Sequence, residues 1–291
     1  MNKPLFLITF FILSCFHTVS AAKQSPTHQV ALAFDGEQIA YNVYGEGSLS
    51  LVFVHGWSCD SRYWQEQIEL FAQNYQVITI DLVGHGHSSL TREDHTMMAF
   101  AKDVSSVLIN EGVNKAILIG HSMGGTVITQ AALLSPKQVI GVIGVDTLHD
   151  VSSVLSAQDI TNSVKPFENN FIKASQNFVV SMFPSDSDPN LVTWVKEDMS
   201  SAPKDIAINA FTNYFTVYQN GALNKAVKEL KIPLVSINAK LWPTNVDNNQ
   251  AHINDYKLFY ISNTGHFPML EKPVAFNQLL TKAIEYISAK Q

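Results

Sequence analysis

The chain has 291 residues, 46% of them hydrophobic and 15% charged, the composition of one large globular domain with room for an insertion. Its formal net charge of −6 is spread without clusters, which argues against a nucleic-acid partner. Beyond the N-terminal segment no stretch is long and apolar enough to span a bilayer, so no stable membrane insertion is expected of the mature chain.

The first residues differ from the rest. Lys3 precedes an apolar run from Pro4 to Phe16, and Val19-Ser20-Ala21 places small residues where a signal peptidase cuts. Residues 1–21 are read as a cleaved export signal, leaving a periplasmic or secreted protein of net charge −7. Leu13-Ser14-Cys15 supports a minority reading as a lipoprotein anchored at Cys15. If Cys15 leaves with the signal, Cys59 stands alone and no intramolecular disulfide can form.

Two alternating strands are expected between Gln29 and Tyr44, around the hairpin turn Asp35-Gly36. Leu51–His55 is a continuous apolar run, suited to a strand buried on both faces of a parallel sheet. Gly56-Trp57 follows it. Ser61–Ala72 has helical periodicity, with Trp64, Ile68 and Phe71 on one face, and Gln76–Leu82 is the next buried strand. In Gly84-His85-Gly86-His87-Ser88 the two histidines have metal-ligand spacing, but no carboxylate and cysteine set completes a site, so a solvated loop is expected. Met98–Asn110 is helical and Gly112 ends it.

Lys115–Ile119 then drives a β-branched apolar run into Gly120-His121-Ser122-Met123-Gly124-Gly125, followed by a Pro-free helical stretch from Thr126 to Leu134. Strand, sharp turn and helix around G-x-S-x-G describe a nucleophile elbow. Its serine backbone is forced into an unfavourable conformation, and glycine is wanted at 120 and 124, where a side chain would collide. Val139–Val145 is another apolar strand. The regular alternation implies an α/β, doubly wound, mostly parallel sheet, whose sites form at the carboxyl ends of strands. His55, Gly56, Trp57, Asp81, Ser122 and Asp146 fall at such ends.

The alternation stops between Asp146 and Pro233. Short helices are expected around Ala157 and over Lys165–Met182, Asn190–Met199 and Lys204–Tyr218, forming a helical lid, some of whose aromatic and methionine residues line an apolar pocket. Pro233–Asn238 and Lys257–Ile261 resume the strands, and Val274–Ser288 closes the chain as a helix. Between them, His266 sits in the polar loop Asn263-Thr264-Gly265-His266-Phe267-Pro268, poorly explained as core filling. The expected division is a signal at 1–21, a core made of 22–146 and 233–291, and a lid at 147–232.

Taken together, His55-Gly56-Trp57, Asp81-Leu82-Val83-Gly84-His85-Gly86-His87-Ser88, the elbow, and Gly265-His266-Phe267-Pro268-Met269-Leu270-Glu271-Lys272-Pro273 resemble the ordered motifs of the α/β-hydrolase fold superfamily. The resemblance implies Ser122 as nucleophile, His266 as its base, and the backbone N–H groups of Trp57 and Met123 as oxyanion hole. The chemistry agrees, since serine needs a base to take its proton and histidine titrates near neutrality. The third member departs from the pattern: where relatives carry an acid after the post-lid strand, this chain has Trp242 in Asn238-Ala239-Lys240-Leu241-Trp242-Pro243. Asp146, at the end of the strand beside the elbow strand, is the preferred acid, with Asp247 and Asp150 as alternatives. Cys59 is expected to pack, and His121 to pack or hydrogen-bond under the elbow.

The resulting expectation is an exported serine hydrolase of small-molecule carboxylic esters, with lactones and thioesters in the same chemical reach, needing no metal or organic cofactor. A perhydrolase (cofactor-free haloperoxidase) or a carbon–carbon hydrolase would use the same residues. A slow-turnover receptor of the same fold is the alternative from another class.

Overall fold

In the computed structural model, which describes residues 26–291, the chain forms one eight-stranded sheet in the order β1-β2-β4-β3-β5-β6-β7-β8. The proposed signal at 1–21, including Cys15, lies outside the described residues. β1 (Thr27–Leu32) and β2 (Gln38–Tyr44) form an antiparallel hairpin, and β2 runs antiparallel to β4 (Gln76–Ile80). From β4 across β3 (Ser50–Val54), β5 (Ala116–His121), β6 (Val139–Val145), β7 (Leu234–Ala239) and β8 (Tyr256–Ile261) every pairing is parallel. The strands that read as unbroken apolar runs are the central ones. Every residue of β3, β5 and β6 is buried, because helices cover both sheet faces and leave no wet side. The doubly wound sheet predicted from the alternation is therefore present, with the hairpin at one edge.

The helices between strands are α1 (Gln65–Phe71), α2 (Met97–Asn110) and α3 (Met123–Leu134). A short 3₁₀ turn, Ser61–Trp64, precedes α1, so the single helix expected over Ser61–Ala72 is split in two. Asp60 caps that turn by accepting from the Arg62 N–H, which satisfies a donor the turn itself leaves open.

Between β6 and β7 lie α4 (Ala157–Asn169), α5 (Phe171–Ser181), α6 (Pro189–Ser200), α7 (Lys204–Gln219) and α8 (Ala222–Glu229). The helix expected over Lys165–Met182 is not continuous. α4 starts from a capping box of Ser156 and Asp159 and carries Pro166 within its last turn. The chain breaks instead at Asn170, whose side chain accepts from the Lys173 N–H and starts α5. Pro166 has no N–H to give the Asn162 carbonyl, so the last turn of α4 lacks that bond. The chain finishes with α9 (Val246–His252) before β8, then α10 (Pro268–Glu271) and α11 (Pro273–Ser288). No helix among the described residues is long and apolar enough to cross a membrane.

Candidate active site at the carboxyl edge of the sheet

Backbone conformation marks the site before any side chain is considered. Among the described residues, the non-glycine residues with positive φ are Ser58, Ser122, Asp146, Leu148 and Asn263. They fall in four loops: after β3, at the β5–α3 turn, after β6 and after β8. Each such conformation costs about 1–3 kcal/mol and persists only where surrounding contacts hold it.

Ser122 stands at φ 53°, ψ −119°, between β5 and α3. Its N–H donates to the Val145 carbonyl (3.1 Å) and its carbonyl accepts from the Gly125 N–H (2.9 Å) and from the Thr147 hydroxyl (2.7 Å). The turn is thus tied to the loop that carries Asp146. A Cβ at Gly120 would lie 2.4 Å from the Gly124 carbonyl oxygen, and one at Gly124 would lie 2.6 Å from the carbonyl oxygens of Val54 and His55. Both are backbone atoms that cannot yield, so the close approach of β3, β5 and α3 requires glycine at both positions.

Asp146 ends β6 with its N–H on the Ile237 carbonyl (3.0 Å). Its Oδ1 accepts from the Ala239 N–H (2.8 Å) and its Oδ2 from His266 Nδ1 (2.6 Å). Burial pushes this carboxyl up, but the hydrogen bond and charge of His266, with His149 and the Ala239 N–H, more than offset it and hold it below the usual carboxylate range. His266 is itself held by its backbone: its N–H donates to the Met182 carbonyl, and its carbonyl accepts from His121 Nε2 (2.8 Å). Glu271 accepts from the Gly265 and Phe267 N–H groups on either side.

His266, with Nδ1 committed to Asp146, lines together with Ser122 and Asp146 a cavity of about 190 Å³. Its apolar wall comes from Phe178, Met182, Met199, Phe211 and Phe215, so helices of the stretch between β6 and β7 lie over the strand ends. Trp57 packs its ring against Phe211 (centroids 4.7 Å) and donates its indole N–H to the Ala207 carbonyl of α7 (2.7 Å).

Trp57 and Met123 line the same cavity. Met123 is the first residue of α3, where an N–H has no intrahelical acceptor. The Gly56–Cys59 turn, closed by the Cys59 N–H on the Gly56 carbonyl and passing through Ser58 at φ 54°, sets the direction of the Trp57 peptide. His55 fixes the turn from below: Nδ1 donates to the Gly56 carbonyl (2.8 Å) and Nε2 accepts from the Leu82 N–H (3.0 Å).

Asp247 is exposed in the first turn of α9 and makes no hydrogen bond to His266. Asp150 accepts from Ser152, Asn245 and Asn248. Neither joins Ser122. Trp242 packs its ring on His266 (centroids 4.9 Å). Cys59 is buried, its thiol donating to the Trp57 carbonyl (3.3 Å), and burial pushes that thiol well above its ordinary range. The polar run Thr244, Asn245, Asn248 and Asn249, which suits a surface loop in sequence, instead clamps the Asp146 loop. Asn249 donates to the Leu148 carbonyl (2.8 Å), and the Asn245 N–H to that of His149 (2.7 Å).

The loop at 84–88 departs from expectation. His87 is exposed, but His85 is buried against His55 (centroids 5.0 Å) and Phe100. Among the described residues no group of three or more His, Cys, Asp or Glu could hold a metal ion.

Burial holds His85 and His121 down to about 3 and also lowers His55 and His149. In an unfolded chain these rings protonate near pH 6.5. As pH falls the unfolded state therefore takes up protons first, so stability present above about 6.5 is lost toward 3. Burial lowers His95 as well, and Asp103, pushed up to about 6 by burial that its Arg92 partner only partly offsets, works the other way in that window, one group against five. The urea midpoint is expected to be lower at pH 5 than at pH 7.5; an equal or higher one would contradict neutral buried histidines.

Comparison with known proteins adds the following. A family model for the alpha/beta hydrolase fold matches residues 50–273. A pimeloyl-(acyl-carrier protein) methyl ester esterase of Wigglesworthia glossinidia brevipalpis is 22% identical over 253 residues, 82% of this chain and 95% of that protein. One of Aliivibrio fischeri (strain MJ11) is 39% identical over 123 residues, 42% of this chain and 44% of that protein. The chain spans less than half the length of several of the curated relatives it matches. The solved structure of an N-acyl homoserine lactone degrading enzyme superposes with a TM-score of 0.73 at 27% identity, covering 88% of this chain and 99% of that one.

Proposed function

The chain belongs to the alpha/beta hydrolase fold family, and we propose on that premise that it is a serine hydrolase cleaving carboxylic esters, lactones among them, through an acyl-enzyme. Ser122 attacks the ester carbonyl while His266 Nε2 takes its proton. The N–H groups of Trp57 and Met123 receive the developing oxyanion, each donor being worth roughly 10²–10³ in rate. His266 returns the proton to the leaving alcohol, and water repeats the cycle to release the acid. Asp146 fixes the His266 tautomer and stabilises its imidazolium. The observation that carries this reading is the 2.6 Å contact of His266 Nδ1 with Asp146 Oδ2 beside a cavity that Ser122 lines.

The relatives' esterase and lactone chemistry supports the bond type. The cavity supports the size: about 190 Å³, against the ~150 Å³ that accommodates a benzene ring. Acyl groups of up to about six heavy atoms fit such a space. Many turnovers of p-nitrophenyl acetate and butyrate are expected, with kcat/KM for the palmitate lower by about tenfold or more. At most a few turnovers of any ester would make the protein a receptor, and equal rates for butyrate and palmitate would contradict an acyl pocket limited by the walls from α5–α7.

Export is part of the same proposal and rests on Lys3, the apolar run to Phe16 and Val19-Ser20-Ala21. A mature chain would begin at Ala22, which N-terminal sequencing reads directly. The helices at 147–232 are proposed to serve as a lid, since their side chains form the wall opposite Ser122.

A further inference from the structure

The loop from Asp146 to Asp150 is more strongly held than a lone acid requires. Asp146 and Leu148 both have positive φ, and Asn238 clamps the Thr147 peptide between them from both sides, accepting from its N–H (3.2 Å) and donating to its carbonyl (3.1 Å). This strain delivers a second histidine to the acid. His149 lines the catalytic cavity, and its Nε2 is buried, lacks a partner among the described residues, and lies 4.0 Å from Asp146 Oδ1.

The proton on that ring can be placed from its neighbours. Nδ1 faces the Thr244 hydroxyl (3.2 Å) and the Asn238 amide nitrogen (3.4 Å). The Thr244 oxygen already accepts from Asn238 Nδ2 (2.9 Å), so its own hydrogen is free to donate. Asn238 Nδ2 spends its two hydrogens on the Thr147 carbonyl and the Thr244 oxygen, so the Thr244 hydroxyl is the donor to Nδ1, which accepts, and the ring hydrogen of neutral His149 sits on Nε2, on the side of the Asp146 carboxylate. Trp242 packs edge-on against this ring (centroids 6.2 Å, 87°) as well as on His266, so the tryptophan found where relatives carry their acid braces both imidazoles.

We propose that His149 is a positioning residue for Asp146, donating from Nε2 to Oδ1 so that the carboxylate is held between two imidazoles and the Ala239 N–H. A closure of about 1 Å brings the pair to hydrogen-bond distance. This rests on Asp146 being the catalytic acid. The donor keeps the carboxylate from rotating about its Cβ–Cγ bond and so keeps Oδ2 on His266, which a triad needs within roughly half an ångström. The effect falls on kcat and leaves KM unchanged.

Five variants test it, with p-nitrophenyl butyrate as substrate. His149→Gln carries an amide N–H to the Nε2 position and is expected to keep kcat within about twofold, whereas His149→Asn reaches only the Nδ1 position and is expected to lose about tenfold, as is His149→Phe. Adding His149→Phe to Asp146→Asn should cost nothing further. Equal kcat for the Gln and Asn variants, or a full additional loss in the double variant, overturns the proposal. Turnover retained by Asp146→Asn alone would instead sink the assignment of the acid on which it stands.

Discussion

Ser122→Ala is expected to lower kcat for a short-chain ester by about 10⁵-fold or more while the protein melts within about 2 °C of wild type. The magnitude follows from removing the atom that forms the acyl bond: with no nucleophile, the oxyanion donors and the binding cavity sustain only a residual rate. The unchanged melting follows from the local structure. The elbow is held through backbone groups, the Ser122 N–H on Val145 and its carbonyl on Gly125 and Thr147, and alanine keeps all of them. Substantial retained turnover would mean another nucleophile.

Asp146→Asn is expected to cost about 10⁴-fold in kcat, and Asp247→Asn less than twofold. The asymmetry is a matter of which atoms face the acid. Ala239 donates its N–H to Asp146 Oδ1, so an asparagine there would set its carbonyl oxygen on Ala239 and turn its NH₂ to His266 Nδ1. Nδ1 must then accept, which moves the ring hydrogen to Nε2, where it points at Ser122 and blocks proton uptake. Asp247 sits exposed in the first turn of α9, where its charge meets only the helix dipole, worth about 0.3–1 kcal/mol of stability. The reverse ranking would move the acid to Asp247.

How much of this was written in the sequence depends on range. The central strands were legible because a strand buried on both faces leaves an unbroken apolar run, and β3, β5 and β6 each show one. Ser122 and His266 stood out as candidates because their surroundings are local: glycines within two residues of the serine, a polar loop just past a strand for the histidine. The acid was only half legible. Asp146 and Asp247 both follow strand ends in sequence, and choosing between them requires the pairing of β6 with β7, which sets Asp146 on the Ile237 and Ala239 backbone.

Other features left no local trace. Positive φ at Asp146 and Leu148 is held by asparagines some ninety to a hundred residues away; aspartate tolerates that conformation better than most residues, but leucine does not. The density of asparagine from Asn245 to Asn249 was the available signal, and it read as solvent exposure. His85 was mistaken for a solvated residue because the glycines on either side announce a turn but say nothing of which way the ring points; here it points inward onto His55 and Phe100. The break at Asn170 was missed because asparagine starts α5 through its side chain on the Lys173 N–H, a capping role that the residue type alone does not announce within a helical stretch.

The claim on which the account turns is that Ser122 carries the acyl group. Treating the full chain with a fluorophosphonate ester and mapping the adduct by peptide mass spectrometry tests it directly. The account predicts one covalent adduct, on Ser122, with p-nitrophenyl butyrate turnover lost in proportion to labelling; an adduct on another residue that tracks the loss, or full turnover in protein labelled completely at Ser122, would contradict it.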